Sequence, residues 1–173
     1  MKKTFLFISL LLIITGCNDS NKSKNNEKSL LDDIVLEDKD AAYECSMYNK
    51  NNKDYDIAGK YAIFLDDKDN VIMVNSTEVV ESKKNEILNQ FENYYNSSYD
   101  KIANYGGYTY DIYQENNRVI ANVIIDYNTF NMESYATEHE EIVPYINEEH
   151  HLTKDKLIEK YNSQNIKCEK KQK

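Results

Sequence analysis

Residues 83–104 read KKNEILNQFENYYNSSYDKIAN, and this stretch decides the predicted fold. Its apolar and aromatic side chains recur every three or four positions with polar residues between them, which is typical of an amphipathic helix. The stripe consists of Ile87, Phe91, Tyr94/Tyr95, Ser98 and Ile102. Ser82 suits the N-cap and Gly106 the C-terminal stop. Because the helix has a single apolar stripe, we expect it to cover one face of a sheet.

Segments with period-two alternation lie on both sides of this helix, three before it and two after it. They are residues 43–48, 57–65, 71–80, 108–112 and 119–125. Short polar connections separate neighbouring segments, and Asn116-Asn117 suits a two-residue hairpin turn. Short connections between strands favour antiparallel pairing. The sequence therefore predicts an antiparallel sheet of about five strands.

The chain after Asp126 is less regular. A helix is expected within Met132–Tyr145, and Thr153 is placed to begin a last helix that ends near Ser163. The element order is then β-β-β-α-β-β-α, an α+β fold in which the sheet packs on one long helix.

The N-terminus has the features of a secretory signal. Lys2 and Lys3 precede an apolar run, residues 5–14, that is too short to span a bilayer, and small residues follow. Residues 14–17, Ile-Thr-Gly-Cys, resemble the bacterial lipobox. The resemblance implies a signal peptide at 1–16 and lipidation of Cys17, with acyl chains such as palmitate anchoring the protein to the extracytoplasmic side of the bacterial cell membrane.

The remaining chain divides into a tether and one domain. Residues 18–29 contain no apolar side chain, so 17–40 is predicted to be a lipidated N-terminus followed by a flexible tether. Within it, the apolar island from Leu30 to Val35 suits one helical turn that folds back on the domain. Residues 41–173 are predicted to form a single α+β domain.

Charge and composition limit the function. The formal net charge is −9, which argues against nucleic acid and against an anionic lipid surface as partners. The anchor must therefore be the acyl chains themselves. The chain has 15 tyrosines and no tryptophan, but it is also rich in Asn, Lys and Ile, so we attribute this excess to A+T-rich codons. The alternative is an aromatic sugar-binding platform.

Two cysteines remain once Cys17 is assigned to lipid. In an oxidising compartment, Cys45 and Cys168 form an even pair, and we predict a disulfide that ties the first strand to the last ordered residues and so ties back the C-terminal helix. The alternative is two free thiols.

Motifs for metal binding or catalysis are incomplete in this sequence. The histidines lie in an acidic region that reads either as a solvated loop or as a metal site at His139, His150 and His151. A zincin helix would need a histidine at position 143, which is valine. Asp67 and Asp69 lack the glycine and the glutamate of a calcium loop and suit a turn. No serine lies in a nucleophile-elbow pattern. We therefore expect no enzyme activity and no cofactor.

A family resemblance rests on short motifs. The lipobox, Tyr43-Glu44-Cys45, residues 123–127 (VIIDY) and Ile166-Lys167-Cys168 together resemble the small YehR-like bacterial lipoproteins. The resemblance implies an α+β domain with a sheet, one long helix and a lipid anchor. It implies no reaction, because that group has no assigned activity.

The last expectation concerns a contact face. The fifth strand carries Ile120 and Ile124 on the face opposite its core residues, beside the tyrosine-rich strand of Tyr108 and Tyr110. Either the segment after Tyr127 covers this face or a partner does. We therefore expect a non-catalytic binding module of a surface protein or cell-wall partner. The alternatives are an accessory ligand-binding lipoprotein of a transport system and, with less support, a cell-wall hydrolase.

Overall fold

The computed structural model describes residues 30–51 and 53–172. These residues form one six-stranded antiparallel sheet with the strand order β4-β5-β3-β2-β1-β6. The strands are β1 (Tyr43–Asn51), β2 (Tyr55–Leu65), β3 (Val71–Glu81), β4 (Tyr108–Glu115), β5 (Arg118–Asp126) and β6 (Lys167–Lys170). The helices are α1 (Asn85–Ala103), α2 (Met132–Glu138) and α3 (Lys154–Ser163), with 3₁₀ turns at Leu30–Asp33 and Glu140–Tyr145. The predicted α+β class is confirmed.

The amphipathic stripe of α1 packs on one face of the sheet, as predicted. Its buried residues are Leu88, Phe91, Tyr95, Ser98, Tyr99 and Ile102. Ser82 does not cap the helix itself. Its hydroxyl accepts a hydrogen bond from the Lys84 amide at 3.1 Å and donates one to the Asp54 carbonyl at 2.6 Å, which fixes the entry to α1.

Two glycines let the chain turn from α1 into β4. Gly106 and Gly107 have φ of 77° and 59°, in the left-handed region that favours glycine. At Gly107 an added Cβ would lie 2.3 Å from the Asp126 carbonyl oxygen. Backbone therefore approaches backbone too closely here for any other residue.

The main core lies between α1, α2, α3 and one face of the sheet. Residues from the segment after Tyr127, including Phe130, Tyr135 and Leu157, join the same cluster as Val123 and Ile125. This decides between the two expectations for the face of the sheet opposite α1. The segment after Tyr127 does not cover it, because its apolar residues are used on the helix side.

The C-terminus adds a sixth strand that the sequence did not predict. β6 pairs with the start of β1, and Cys168 lies directly opposite Cys45. The two sulfurs are bonded, which confirms the predicted disulfide. The bond joins the edge strand, rather than α3 directly, to the sheet.

The N-terminal strap, residues 30–38, crosses the other face of the sheet. Leu30 and Ile34 are buried against Ala58 and Val79, so the predicted turn that folds back is confirmed. The strap therefore packs on the sheet ahead of the expected start of the domain at residue 41. The expected signal peptide, Cys17 and the upstream tether, residues 1–29, lie outside the described residues.

Candidate functional site

The strand register assigns residues to the face of the sheet opposite α1, here called the second face. Residues paired across neighbouring strands share a face. One row across it is Tyr113, Ile120, Val79, Ala58 and Tyr48, the next is Asp111, Asn122, Thr77, Lys60 and Ser46, and the third is Thr109, Ile124, Asn75, Ala62 and Glu44. In the first row Ala58, Val79 and Ile120 pack against the strap.

Hydrogen bonds from the sheet hold the strap in place. The Lys60 ammonium donates to the Ile34 carbonyl at 3.0 Å, and the Asn75 amide donates to the Glu37 carbonyl at 2.9 Å. Arg118 forms an ion pair with Asp33 at 3.0 Å. Because polar bonds from two strands fix its backbone, the strap leaves a defined gap between itself and β4.

That gap is a shallow second-face groove of about 360 Å³. Its lining includes Val35, Leu36, Thr109, Asp111, Asn122 and Ile124. Val35 is 90% exposed and Ile124 is 42% exposed. At its floor the Thr77 hydroxyl donates to the Asn122 amide oxygen at 2.8 Å, which keeps these two polar groups paired beside the apolar wall.

Exposed apolar side chains concentrate on this side of the domain. Among the described residues, the exposed large hydrophobic residues are Val35, Tyr48, Tyr113, Ile124 and Val143. All except Val143 lie on the second face or on the strap that crosses it. Scattered exposed apolar residues need no explanation, whereas larger contiguous patches are typical of contact surfaces.

The structure corrects two of the four predicted contact residues. Tyr108 is buried on the α1 side against the Tyr99 ring, and Tyr110 also contacts Tyr99 and donates a hydrogen bond to Asp100. Ile120 is on the second face but is partly covered by the strap, whereas Ile124 is exposed. Tyr110 still borders the second-face groove, although its ring packs on the α1 side. Tyr113 lies on the second face opposite Ile120 and is 38% exposed, outside the lining of the groove.

The three histidines are not brought together. His139 stacks on the Tyr135 ring with 4.3 Å between centroids and lies 3.2 Å from Glu141, while the ring of His151 lies 3.9 Å from Glu149. Within residues 30–51 and 53–172 no group of three His, Cys, Asp or Glu side chains is placed to hold a metal ion. Asp69 lies in a turn, as predicted, and its carboxylate forms an ion pair with Lys154 at 2.7 Å.

A second concavity, the Tyr105 cleft, lies between the end of α1 and α2. Its volume is about 620 Å³, and its lining includes Lys101, Tyr105, Tyr135, Glu138 and His139. The Tyr105 hydroxyl donates to the Glu138 carboxylate at 2.8 Å. The sequence singled out His139 but gave no reason to group it with Lys101, 38 positions away, because only tertiary packing brings α1 and α2 together.

A buried carboxylate, Glu78, was missed by sequence reasoning. It is 3% exposed and accepts hydrogen bonds from Tyr61 at 2.6 Å and Tyr95 at 2.9 Å. Burial raises the pKa of Glu78 above its ordinary value, and the two hydroxyls only partly oppose this. The cavity beside it, about 20 Å³, has room for a single water. The available signal was an acidic residue at a core-facing position of β3.

No helix among the described residues is long and apolar enough to cross a membrane.

A family model for the prokaryotic membrane lipoprotein lipid attachment site matches residues 1–18, which include Cys17. This match supports lipid anchoring of the chain to a membrane as a prokaryotic lipoprotein. This match does not test the resemblance to the YehR-like group, which stays a prediction.

Comparison with curated proteins gave no match. Among solved structures, the chain is similar to an NMR structure of a protein from Streptococcus pneumoniae TIGR4. The two share 8% sequence identity, with 90% of this chain and 98% of the other covered, and the TM-score is 0.42. A similarity at this level carries no argument about function.

Proposed function

We propose that this lipoprotein is a non-catalytic interaction module, held on the extracytoplasmic side of the membrane, that binds a protein partner through its second face. The observation that carries the proposal is the pair of exposed apolar side chains in the wall of the second-face groove, Val35 and Ile124, with exposed Tyr113 on the same face of the sheet. Tyrosine and aliphatic side chains at such positions are typical of protein contacts.

The disulfide supports the extracytoplasmic side. Structural disulfides form and persist in oxidising environments and are rare in the bacterial cytosol. Cys45 is fully buried, so its bond to Cys168 is structural in character rather than an exposed redox site.

The distance to the membrane is also limited. Residues 18–29 separate the predicted lipidated Cys17 from the strap, and twelve residues span at most ~40 Å when fully extended. Because the strap begins at Leu30 on the second face, the tether joins the domain at this face. A partner bound there is expected to be another protein at or near the membrane surface.

The non-catalytic part of the proposal rests on the surroundings of the buried carboxylate of Glu78. Perturbed pKa values often mark active sites, so Glu78 is the natural candidate for acid–base chemistry. Its carboxylate is enclosed by tyrosines, however, and the adjoining cavity has room for only one water. This supports a structural role for Glu78, since a substrate bond would need to come within hydrogen-bond reach of it.

The test compares two isoleucines on one strand. Ile124→Asp places a carboxylate on the exposed wall of the groove and is expected to leave the thermal midpoint nearly unchanged. Ile120→Asp places the same charge beneath the strap, beside Leu30 and Ile34, and is expected to destabilise the fold because a charge in partly buried apolar surroundings is costly. The midpoint is measured by circular dichroism on each purified variant.

Binding is then measured in intact cells by chemical cross-linking. The folded Ile124→Asp variant is expected to lose the wild-type cross-linked adduct, whereas Asn93→Asp on the exposed side of α1 should retain it. An Ile124→Asp protein that unfolds would place this residue in the core and contradict the proposal. A folded variant that retains the adduct would contradict it as well.

The Tyr105 cleft favours a second candidate function, an accessory ligand-binding lipoprotein of a transport system. Its volume falls within the range of small-molecule sites, and it combines rings with the ammonium of Lys101 and the carboxylate of Glu138. NMR titration with phenylalanine, a zwitterion with an aromatic ring, tests it. Shifts at His139 that disappear in Lys101→Gln but persist in Lys156→Gln would support it. Unchanged His139 signals would count against this class of ligand.

A further inference from the structure

The two edges of the sheet differ in how well they are protected. β6 has only four residues, of which Lys167 and Lys170 are basic, and short edges with lysines resist pairing with other strands. β4 has eight residues, all but Tyr108 at least partly exposed, and among residues 30–51 and 53–172 no strand pairs with its outer side. The β4 edge is therefore the open one.

The register shows which backbone groups point outward. Glu115 and Arg118 flank the two-residue turn at Asn116 and Asn117, whose φ values are 49° and 63°. In such a hairpin the flanking residues bond to each other, and bonded pairs then alternate along the ladder. The Asp126 amide donates to the Gly107 carbonyl at 2.7 Å, as expected if every second pair counted from Glu115 and Arg118 is hydrogen-bonded. The outward residues of β4 are Tyr108, Tyr110, Ile112 and Gln114.

The side chains around this edge are acidic on both faces. Asp111 and Glu115 lie on the second face, while Asp100 and Glu92 of α1 lie beside β4 on the other. The Gln114 side chain donates to Glu92 at 2.7 Å, and Tyr110 donates to Asp100, so both helix carboxylates are held next to the strand. The sequence of β4, YTYDIYQE, contains no basic residue.

We propose that β4 receives an extended polypeptide segment as an added strand, and that this segment carries Lys or Arg at alternate positions. Strand addition takes its affinity from main-chain hydrogen bonds and its specificity from alternate side chains. The inference rests on the proposed function and names the chemistry of its partner. A second copy of this chain suits the edge poorly, because pairing β4 with β4 brings carboxylates against carboxylates.

The probe is a fluorescein-labelled peptide, acetyl-(Lys-Val)₃-Lys-amide, added to the detergent-solubilised lipoprotein. A fully N-methylated analogue has the same charge but no backbone donor, and a (Glu-Val)₃-Glu analogue reverses the charge. Anisotropy is expected to show binding of the first peptide and at least about tenfold weaker binding of both analogues. Equal binding of the N-methylated peptide would show simple charge attraction and overturn the inference.

Amide hydrogen exchange locates the peptide without altering the protein. The outward amides of Tyr110, Ile112 and Gln114 are expected to slow on binding, whereas those of Asp111 and Tyr113, already bonded to β5, should change little. In a variant, Ile112→Pro removes one outward donor without touching the β4–β5 ladder and is expected to weaken binding, with Ile112→Val as control.

The outcomes separate this inference from the function on which it rests. Unchanged outward amides, or a β4–β4 dimer detected by sedimentation, would overturn strand addition. If the cellular adduct still depends on Ile124 in that case, the second face remains the contact surface. If the β4 amides slow on peptide binding but the cellular adduct does not depend on Ile124, the edge site is retained and the proposed role of the groove is wrong.

Discussion

Removing the disulfide is expected to cost much of the stability of the domain. The perturbation is the double variant Cys45→Ala with Cys168→Ala, which leaves no free thiol in the domain. The bond closes a loop of 123 residues. In the chain-entropy model a loop of this length stabilises the folded state by about 4.9 kcal/mol at 25 °C.

This magnitude converts into a thermal shift that is easy to measure. For a domain of this size, 1 kcal/mol corresponds to roughly 2–4 °C, so the midpoint is expected to fall by about 10–20 °C. β6 is otherwise held by its four-residue pairing with β1 and, at the next residue, by the Lys171 ion pair with Asp38 and the backbone bond from Lys171 to the Ala42 carbonyl. Its amides should therefore exchange before those of β2 and β3.

The assay is thermal unfolding by circular dichroism, with mass spectrometry as the control for the bond. Alkylation of denatured, unreduced protein in which Cys17 is replaced should add no mass, and reduction should allow two adducts. A double variant whose midpoint stays within about 2 °C of the parent would refute the reasoning, since the constraint on the unfolded chain would then contribute almost nothing.

Three further predictions address other parts of the molecule. The pKa of Glu78 is raised in the fold, so the wild type should lose stability relative to Glu78→Gln as pH rises above the ordinary pKa of a glutamate; a difference in urea stability that does not change with pH would contradict this. Gly107→Ala should destabilise more than Gly106→Ala: both residues have a positive φ, but an added Cβ lies 2.3 Å from backbone at Gly107 and 3.2 Å at Gly106; equal midpoints would refute it. Cys17→Ala should take up no radiolabelled palmitate and leave the membrane fraction; retained label would contradict lipidation.

The long helix was predictable because its signal is local. The three-and-four spacing of residues 83–104 depends on no distant partner, and α1 ends within two residues of both predicted limits. The disulfide followed from counting cysteines. By contrast, β6 is polar, with the sequence KCEK, and becomes a strand only because β1 offers it an edge.

The wrong placement of Tyr108 and Tyr110 on the face of Ile124 could have been avoided from the sequence. A two-residue turn at Asn116-Asn117 fixes the register of its hairpin, so Tyr110 must lie opposite Val123 and on the same face. That register, applied to the predicted turn, places both tyrosines under α1 rather than beside Ile124.

Other features could not be predicted in this way. Glu78 finds its two tyrosine partners 17 residues away in each direction, on β2 and on α1, and no local pattern indicates that they meet. Likewise, Leu30 and Ile34 indicate a turn, but the face on which the strap packs depends on the whole sheet being assembled.

The central claim is that the second face contacts a partner in the cell, and photo-cross-linking tests it most directly. The photoreactive residue p-benzoylphenylalanine replaces Ile124 in one strain and Asn93, on the opposite side of the domain, in another. Irradiation of intact cells is expected to give a discrete adduct from position 124 and none from position 93. No adduct at 124, or the same adduct from both positions, would contradict the claim.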